Sequence, residues 1–240
     1  MDIKKEGVAL YHTVKEKLHE MIEEGKYLPG QQFPTESDLC EKFSVSRTTI
    51  RLALNQLKLE GHIYQVQGKG TFVSMPKLEQ SVAPYRSFKD HLQGRGQQLE
   101  SKVLEFTVIS ADKRLAKTLQ IAEQDAVFRI ERIRYADEIP LLFSITYIPW
   151  KITPGLTKEE CSGSLYALIK DKFSIQLSHC MESMEPILID EAISKHLNVP
   201  IGAPSFLLNT ITYSNSHIPL EYSHEIIRGD RAKFTFERKL

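Results

Sequence analysis

Residues 44–73, SVSRTTIRLALNQLKLEGHIYQVQGKGTFV, decide the fold of the first third of the chain. Ser46 is a good N-cap, because its hydroxyl can accept a hydrogen bond from a free backbone N–H at the start of a helix. Apolar residues then recur at helical spacing until Gly61, which favours a C-terminal stop. Two short runs typical of strands follow, and they flank the turn residues 68–70. The stretch therefore predicts a helix followed by a β-hairpin.

Two further helices are predicted upstream of this stretch. Apolar positions in residues 10–22 fall on one helical face. Thr35, with Asp38 three residues later, forms an approximate capping box for a second, short helix. Three helices followed by a hairpin, with a short turn between the second and third helix, are typical of a winged helix-turn-helix domain. We assign this domain to residues 1–74.

The charge of the chain is unevenly distributed. The 240 residues include 31 basic and 31 acidic side chains, so the formal net charge is zero. Residues 42–75 nevertheless carry five basic residues against one acid, a net charge of +4. Lys and Arg neutralise DNA phosphates, and this basic stripe coincides with the third helix and the hairpin. Overall neutrality therefore does not argue against a DNA partner.

The rest of the composition excludes several classes of protein. No apolar run approaches the roughly 20 residues of a membrane helix, and the mixed charge at the start does not resemble a secretory signal. We therefore expect a cytoplasmic protein with no membrane partner. The three separated cysteines form no CxxC or Cys/His cluster, which predicts reduced, structural thiols and no metal. His179 and Cys180 are neighbours in a predicted strand and point to opposite faces, so we expect no catalytic residue and no cofactor.

The remainder of the chain predicts a linker and a second domain. Residues 75–85 contain two prolines and no sustained period, which is typical of an interdomain linker. Short turn-like segments between two of the strand pairs that follow indicate antiparallel hairpins. We therefore predict an α+β domain over residues 86–240. Its predicted strands lie at 103–109, 126–135, 140–148, 176–189, 204–213, 219–227 and 233–238, and its predicted helices at 87–92, 111–120, 164–173 and 190–197.

The chain resembles a known family of regulators. The stretch at 44–73, together with Pro34-Thr35-Glu36, resembles the GntR family of bacterial transcription regulators. Downstream motifs, including IERIR at 130–134 and RGDR at 228–231, resemble the UTRA effector domain of the HutC subfamily. The resemblance implies a DNA-binding regulator with a chorismate lyase-like antiparallel sheet and helices in its second domain. A chorismate lyase-like enzyme is the alternative from another class, although it would not explain the winged domain.

The predicted DNA site lies on the third helix and the hairpin. In a helix-turn-helix the second helix of the motif enters the major groove with its N-terminal residues first. Arg47 and Arg51 are four residues apart and share a face, whereas Lys69 lies between two glycines at the hairpin tip. The family commonly has Arg where this chain has Ser37. We expect a homodimer on a palindromic operator, because a dimer doubles the contacts. The predicted DNA-binding residues are Thr35, Glu36, Arg47, Thr48, Thr49, Arg51, Lys69 and Gly70.

A candidate effector site is predicted in the second domain. Arg132 and Arg134 are two residues apart in a predicted strand and point to one sheet face. Two guanidinium groups on one side repel unless an anion or an acidic partner lies between them, so they bind either a phosphate-like ligand or a neighbouring Glu or Asp. Ser164 and Tyr166 begin a predicted helix, where an anion is favoured. The alternative there is an ordinary helix start with the Tyr ring packed inward.

Resemblance to the UTRA domain implies further effector contacts. Glu221 matches a position that accepts hydrogen bonds from a polar ligand such as a sugar, and Ser144 stands where these domains commonly have an acid. Ser87, Phe88 and Lys89 match the segment that closes over the ligand, the alternative being a simple helix cap and a surface lysine. We expect a repressor released by a small anionic effector, a sugar phosphate or amino-sugar phosphate, with a carboxylate metabolite as the alternative. The predicted effector-binding residues are Ser87, Phe88, Lys89, Arg132, Arg134, Ser144, Ser164, Tyr166, Glu221 and Arg228.

Overall fold

The computed structural model describes residues 9–75, 77–81, 99–136 and 138–235. Its contacts divide the chain into two compact units. The first unit ends at Leu78 and also includes Asp230–Lys233, and the second begins at Glu79 and takes the remaining residues. Helices and a hairpin make up most of the first unit, and an antiparallel sheet with helices makes up the second. The predicted α+β class is confirmed.

The first unit has the predicted three helices and hairpin. Its cap residues act as expected, because the hydroxyls of Thr35 and Ser46 accept from the backbone N–H groups of Asp38 and Thr49. One buried cluster, which includes Leu18, joins the helices to the hairpin. The elements are α1 (Leu10–Glu23), α2 (Glu36–Phe43), α3 (Arg47–Leu59), β1 (Ile63–Val66) and β2 (Gly70–Val73).

An extended segment before α2 supports the hairpin. The backbone N–H of Val73 donates to the carbonyl of Gln31 at 2.9 Å, and that of Phe33 donates to the carbonyl of Thr71 at 2.7 Å. These bonds satisfy backbone groups of β2 on the side away from β1. The hairpin is therefore held on both sides of β2 and is attached to the segment that leads into α2.

Six long strands of the second unit form one antiparallel sheet in the order β4-β5-β6-β9-β8-β7. The helices α4 and α6 pack with clusters on one face, and α5 packs with a third cluster on the other. A 3-10 helix, Glu159–Ser162, precedes α5. The elements are β4 (Leu99–Ser110), α4 (Lys113–Leu119), β5 (Ala126–Ala136), β6 (Ile139–Pro149), α5 (Leu165–Phe173), β7 (Leu177–Leu188), α6 (Glu191–Leu197), β8 (Pro204–Ser214) and β9 (Pro219–Arg228).

The predicted linker differs from the structure in one respect. Within residues 75–85, the segment Leu78–Ser81 forms a strand, β3, which pairs with β10 (Ala232–Thr235) in a two-stranded sheet. Local sequence did not indicate this strand, because its partner lies at the far end of the chain. The rest of the linker beyond Ser81 and the predicted helix at 87–92 lie outside the described residues.

None of the helices in the described parts of the chain combines the length and the apolar character that a membrane span requires.

Candidate DNA-binding and effector-binding sites

The exposed side of α3 carries the predicted basic residues. Arg47 is the first residue of this helix, and it and Thr48 are exposed. The Arg51 side chain is 64% exposed, and its Nε lies 2.9 Å and 3.1 Å from the two carboxylate oxygens of Glu36. Glu36 therefore orients Arg51 through Nε, and within the described residues the Nη groups make no hydrogen bond. A phosphate or a base edge can accept from those groups.

The hydroxyls of two further predicted DNA contacts, Thr35 and Thr49, also have partners inside the protein. The Thr35 hydroxyl donates to the Asp38 carboxylate at 2.7 Å as part of the capping box of α2. The Thr49 hydroxyl lies 2.9 Å from the hydroxyl of the N-cap Ser46. Both threonines therefore stabilise the starts of helices, while Thr48 remains exposed beside them.

The hairpin tip depends on a glutamine that sequence reasoning missed. Gln32 donates from its side-chain amide to the carbonyl of Lys69 at 3.1 Å. A Cβ at Gly70, whose φ is +117°, would lie 2.9 Å from the same amide nitrogen. Gly70 is therefore required both by its backbone conformation and by this close approach. No local pattern marks Gln32, because its role arises from the pairing of its segment with β2.

A groove of about 300 Å³ joins these parts of the first unit. It lies between the start of α2, the exposed side of α3 and the hairpin. Asn55 and Lys58 of α3 line it together with Glu36, Arg51 and Gly70. The predicted residues of three different elements therefore share one surface.

In the second unit, strand register gathers polar side chains on the sheet face that α5 covers. We call this surface the polar face. Arg132 lies opposite Ser144, which lies opposite Glu225 on the next strand. The neighbouring row runs from Thr146 through Ser223 and Thr210 to Glu182. The polar face consists of Arg132, Arg134, Ser144, Thr146, Glu182, Thr210, Thr212, Glu221, Ser223 and Glu225.

Arg132 is the largest fully buried side chain, with 1% of its surface exposed. Its Nη1 lies 3.4 Å from the carbonyl of Cys161, and within the described part of the chain its Nε has no hydrogen-bond partner. Burial, and then the nearby charge of Arg134, lowers the pKa of Arg132 to about 10, against the opposing fields of Glu221 and Glu225. A buried guanidinium with an unsatisfied donor is costly, and a bound anion would satisfy it.

Hydroxyl groups beside Arg132 are also unsatisfied. Ser144 and Thr146 are completely buried, and among the residues that the structure describes neither of their side-chain oxygens has a hydrogen-bond partner. Buried polar groups in proteins are normally hydrogen-bonded, so a cluster of three unsatisfied ones is typical of a site for a polar ligand. Thr146 is a residue that sequence reasoning missed, although its position two residues after Ser144 places both on one face.

A hydrogen-bonded chain connects α5 to Glu221. The hydroxyls of Tyr166 and Thr212 lie 2.7 Å apart, and the Thr212 hydroxyl donates to the Glu221 carboxylate at 3.3 Å. Burial is the main cause that raises the pKa of Glu221, and the charge of Arg132 opposes it. Ser164 acts as the N-cap of α5, where its hydroxyl accepts from the N–H of Ala167 at 3.3 Å.

The structure does not bring Arg228 together with the other predicted effector residues. Arg228 faces away from the polar face, because strand alternation puts it on the same side as His224, opposite to Glu225. Its Nη1 donates to the carbonyls of Pro140 at 3.0 Å and Leu197 at 3.1 Å. Arg228 therefore holds backbone segments together. Ser87, Phe88 and Lys89 lie outside the described residues.

A winged helix-turn-helix unit with a basic helix face, joined in one chain to an α+β unit with a buried polar site, defines a ligand-responsive DNA-binding regulator. The model of the gntR family of bacterial regulatory proteins matches residues 10–73, and the UTRA domain model matches residues 94–233. The chain belongs to the gntR family and is of the HutC type, with a UTRA domain. It is a transcriptional regulator and not an enzyme.

Relatives of this chain match it over nearly its whole length. The HTH-type transcriptional repressor NagR of Bacillus subtilis is 31% identical over 98% of this chain and 97% of its own. The mannosyl-D-glycerate transport/metabolism system repressor MngR of Escherichia coli is 32% identical, over 94% of each chain. The crystal structure of PhnF from Mycobacterium smegmatis covers 94% of this chain and 99% of its own, with 28% identity and a TM-score of 0.68.

Proposed function

We propose that this protein is a repressor that binds a palindromic operator as a homodimer and leaves it when a phosphorylated sugar or amino sugar binds the UTRA domain. The names of its relatives support both the role as a repressor and an effector derived from a sugar. NagR and MngR are both named repressors, and another relative, 31% identical over 96% of this chain, is a probable fructoselysine utilization operon repressor of Escherichia coli. Mannosyl-D-glycerate and fructoselysine are both sugar derivatives.

The observation that carries the proposed anion site is the state of Arg132. Within residues 99–136 and 138–235, this guanidinium is buried, has no partner at Nε and lies beside two hydroxyls that also have none. Such a group costs stability unless a ligand supplies the missing hydrogen bonds. The guanidinium fork matches the geometry of a phosphate. Arg134 shares this face of β5, so a phosphate held between the two side chains would also relieve their mutual repulsion.

Ligand binding can release the operator only if the ligand prefers the protein conformation that binds DNA poorly. A coupling free energy of about 1 to 3 kcal/mol would lower operator affinity roughly 5- to 150-fold. The same coupling would weaken ligand binding to the operator-bound protein by an equal factor, because binding linkage is reciprocal.

The test uses an operator selected from a random duplex pool and a panel of phosphorylated sugars. Fluorescence anisotropy should show release by at least one sugar phosphate in the wild type and no response in the double variant Arg132→Ala with Arg134→Ala. Retained operator binding shows that the first unit of the variant folds, and an unchanged circular dichroism spectrum shows that the second unit does. Arg129→Ala on the opposite face of the same strand is the matched control and should respond as the wild type does. An unchanged response in the double variant would contradict the anion site.

The homodimer has its own test. A duplex that carries one half-site should bind far more weakly than the full palindrome, because a dimer then loses half of its contacts. Equal affinities for the half-site and the full palindrome in a gel-shift titration would refute binding as a homodimer.

A further inference from the structure

A short segment that follows β9 belongs to the first unit. The contacts of Asp230–Lys233 group these residues with the unit that ends at Leu78, and the second unit resumes at Phe234. We call Asp230–Lys233 the returning segment. It continues into β10, which pairs with β3, the strand that follows the hairpin along the chain. The first unit is therefore completed by residues from the far end of the sequence.

The returning segment approaches the start of the hairpin at Gly61. This glycine follows α3 with a φ of +79°, and a Cβ on it would lie 2.9 Å from the Cα of Asp230 and closer still to the Asp230 carbonyl oxygen. Two backbones meet here, so no side-chain rotation can relieve the approach. Gly25 follows α1 with a similar φ of +72°, but no described atom would lie within 4 Å of a Cβ there. Gly61 is therefore required by the returning segment as well as by the end of its helix.

A second contact of the returning segment lies on β1. The guanidinium of the buried Arg231 lies over the ring of Tyr64, 5.5 Å from the ring centroid. The Tyr64 ring also stacks on Phe72 of β2, with 5.6 Å between the centroids. An aromatic face attracts a cation, and burial strengthens this attraction. The returning segment therefore reaches both strands of the hairpin, β1 directly and β2 through the Tyr64 ring.

The residues just before the returning segment are fixed in the second unit. The N–H of Gly229 donates to the carbonyl of Pro204 at 3.2 Å, and a Cβ on Gly229 would lie 2.6 Å from the same oxygen. Arg228 binds two backbone carbonyls of that unit. One peptide bond therefore joins a residue held at the start of β8 to Asp230, which is held beside Gly61. Because a peptide unit is planar and stiff, a shift of these strand ends is passed on to Asp230.

We propose that the returning segment positions the hairpin for its contact with DNA and carries the effect of the second unit to it through Gly61 and Tyr64. The inference deepens the proposed function and rests on it in one respect, because it presumes that a ligand of the second unit controls operator binding. Coupling between two sites is reciprocal, so operator binding by the first unit should in turn stabilise the ends of β8 and β9. This consequence can be measured without any effector.

Hydrogen exchange of the full-length protein, followed by mass spectrometry, tests the proposal. A saturating concentration of the selected operator duplex should slow exchange at residues 205–207 and 226–229 of the wild type by about fivefold or more, the lower end of a typical coupling. Gly61→Ala should remove most of this protection, while the operator still protects the amides of α3. Gly25→Ala is the matched control, because it introduces similar backbone strain without a close contact, and it should keep the protection.

Tyr64 provides a second pair of variants without backbone strain. Tyr64→Phe keeps the ring under Arg231 and should behave as the wild type does. Tyr64→Leu removes the ring, so the operator should no longer protect residues 226–229. A variant that fails to bind the operator, while its control binds and its own circular dichroism spectrum is unchanged, also supports the proposal, because its hairpin has lost its position.

Three results would overturn the inference. The operator could leave exchange at residues 226–229 of the wild type unchanged, Gly61→Ala and Tyr64→Leu could both keep the protection, or the two controls could lose it to the same extent. None of these results depends on the identity of the effector. If no phosphorylated sugar releases the operator but the exchange pattern is as expected, the proposed effector is refuted and the role of the returning segment stands.

Discussion

Replacement of Arg132 by Met should make the ligand-free protein more stable while it abolishes the response to phosphate. Burial lowers the pKa of Arg132 to about 10, well below the usual range of a guanidinium. At about 1.4 kcal/mol for each pKa unit, the charged form costs the folded state about 3 kcal/mol. Arg132 is only 1% exposed, so solvent does not screen this cost. Met occupies a similar volume and needs no hydrogen bond.

The expected gain is smaller than the full cost. Removal of the positive charge leaves Glu221 and Glu225 without its favourable field, and the contact with the Cys161 carbonyl is lost. We therefore expect a gain of about 1 to 3 kcal/mol in the free energy of unfolding of the ligand-free protein. For a chain of this size each kcal/mol raises Tm by about 2 to 4 °C.

The assay is thermal unfolding of the full-length protein in phosphate-free buffer, repeated with inorganic phosphate. The wild type should gain stability from phosphate, and Arg132→Met should not. Arg129→Met is the control, because Arg129 lies on the same strand but forms ion pairs with Glu105 and Glu131 on the opposite face. It should leave stability unchanged or lower it by up to about 1 kcal/mol. A loss of more than 1 kcal/mol in Arg132→Met without phosphate would show that Arg132 is a structural ion-pair partner, which would refute the reasoning.

Three other perturbations address the first unit. Arg51→Ala should weaken operator binding and reduce the magnitude of the slope of log K against log[salt] by about 1.8 for a dimer, because each lost phosphate contact contributes about 0.9. An unchanged slope in anisotropy titrations would contradict a phosphate contact. Gly70→Ala should lower the free energy of unfolding by about 1 kcal/mol or more in urea titrations, because φ is +117° and the new Cβ meets the side-chain amide of Gln32. Gly163→Ala is the control: a Cβ at Gly163 has open space around it, so this variant should change the free energy of unfolding little. Burial, and then the charge of the adjacent His19, lowers the pKa of His62, so folding favours the neutral imidazole. As the pH falls below about 6.5, the unfolded chain takes up this proton first, and the free energy of unfolding therefore decreases. His62→Gln should make the free energy of unfolding, measured in urea titrations, vary less between pH 7.5 and pH 5. If the pH profiles of the variant and the wild type were parallel, His62 would not be the responsible group.

Local sequence was most informative in the winged domain. Its signals act over three or four residues, so they can be recognised in the sequence without knowledge of any tertiary contact. They are the N-cap Ser46, the apolar period of α3 and the glycines of the hairpin. Strand alternation likewise placed Arg132 and Arg134 on one face, because side chains two residues apart in a strand point the same way.

Other assignments depended on contacts between distant segments. Arg228 was assigned to the effector site on the strength of a motif, whereas its position on the strand turns it to the opposite face, where it binds two backbone carbonyls. Exposure and existing hydrogen bonds decide such roles, and a motif reports neither.

The sequence by itself determined the two kinds of domain, the basic helix and the pair of arginines, because each is encoded by spacing within one element. Only the tertiary structure decided that Arg132 is buried with an unsatisfied Nε and that Ser144, Glu225, Thr210 and Glu182 share its face. These positions follow from the register of strands that are far apart in the chain. Register is set by the packing of the whole sheet, so no local pattern contains it.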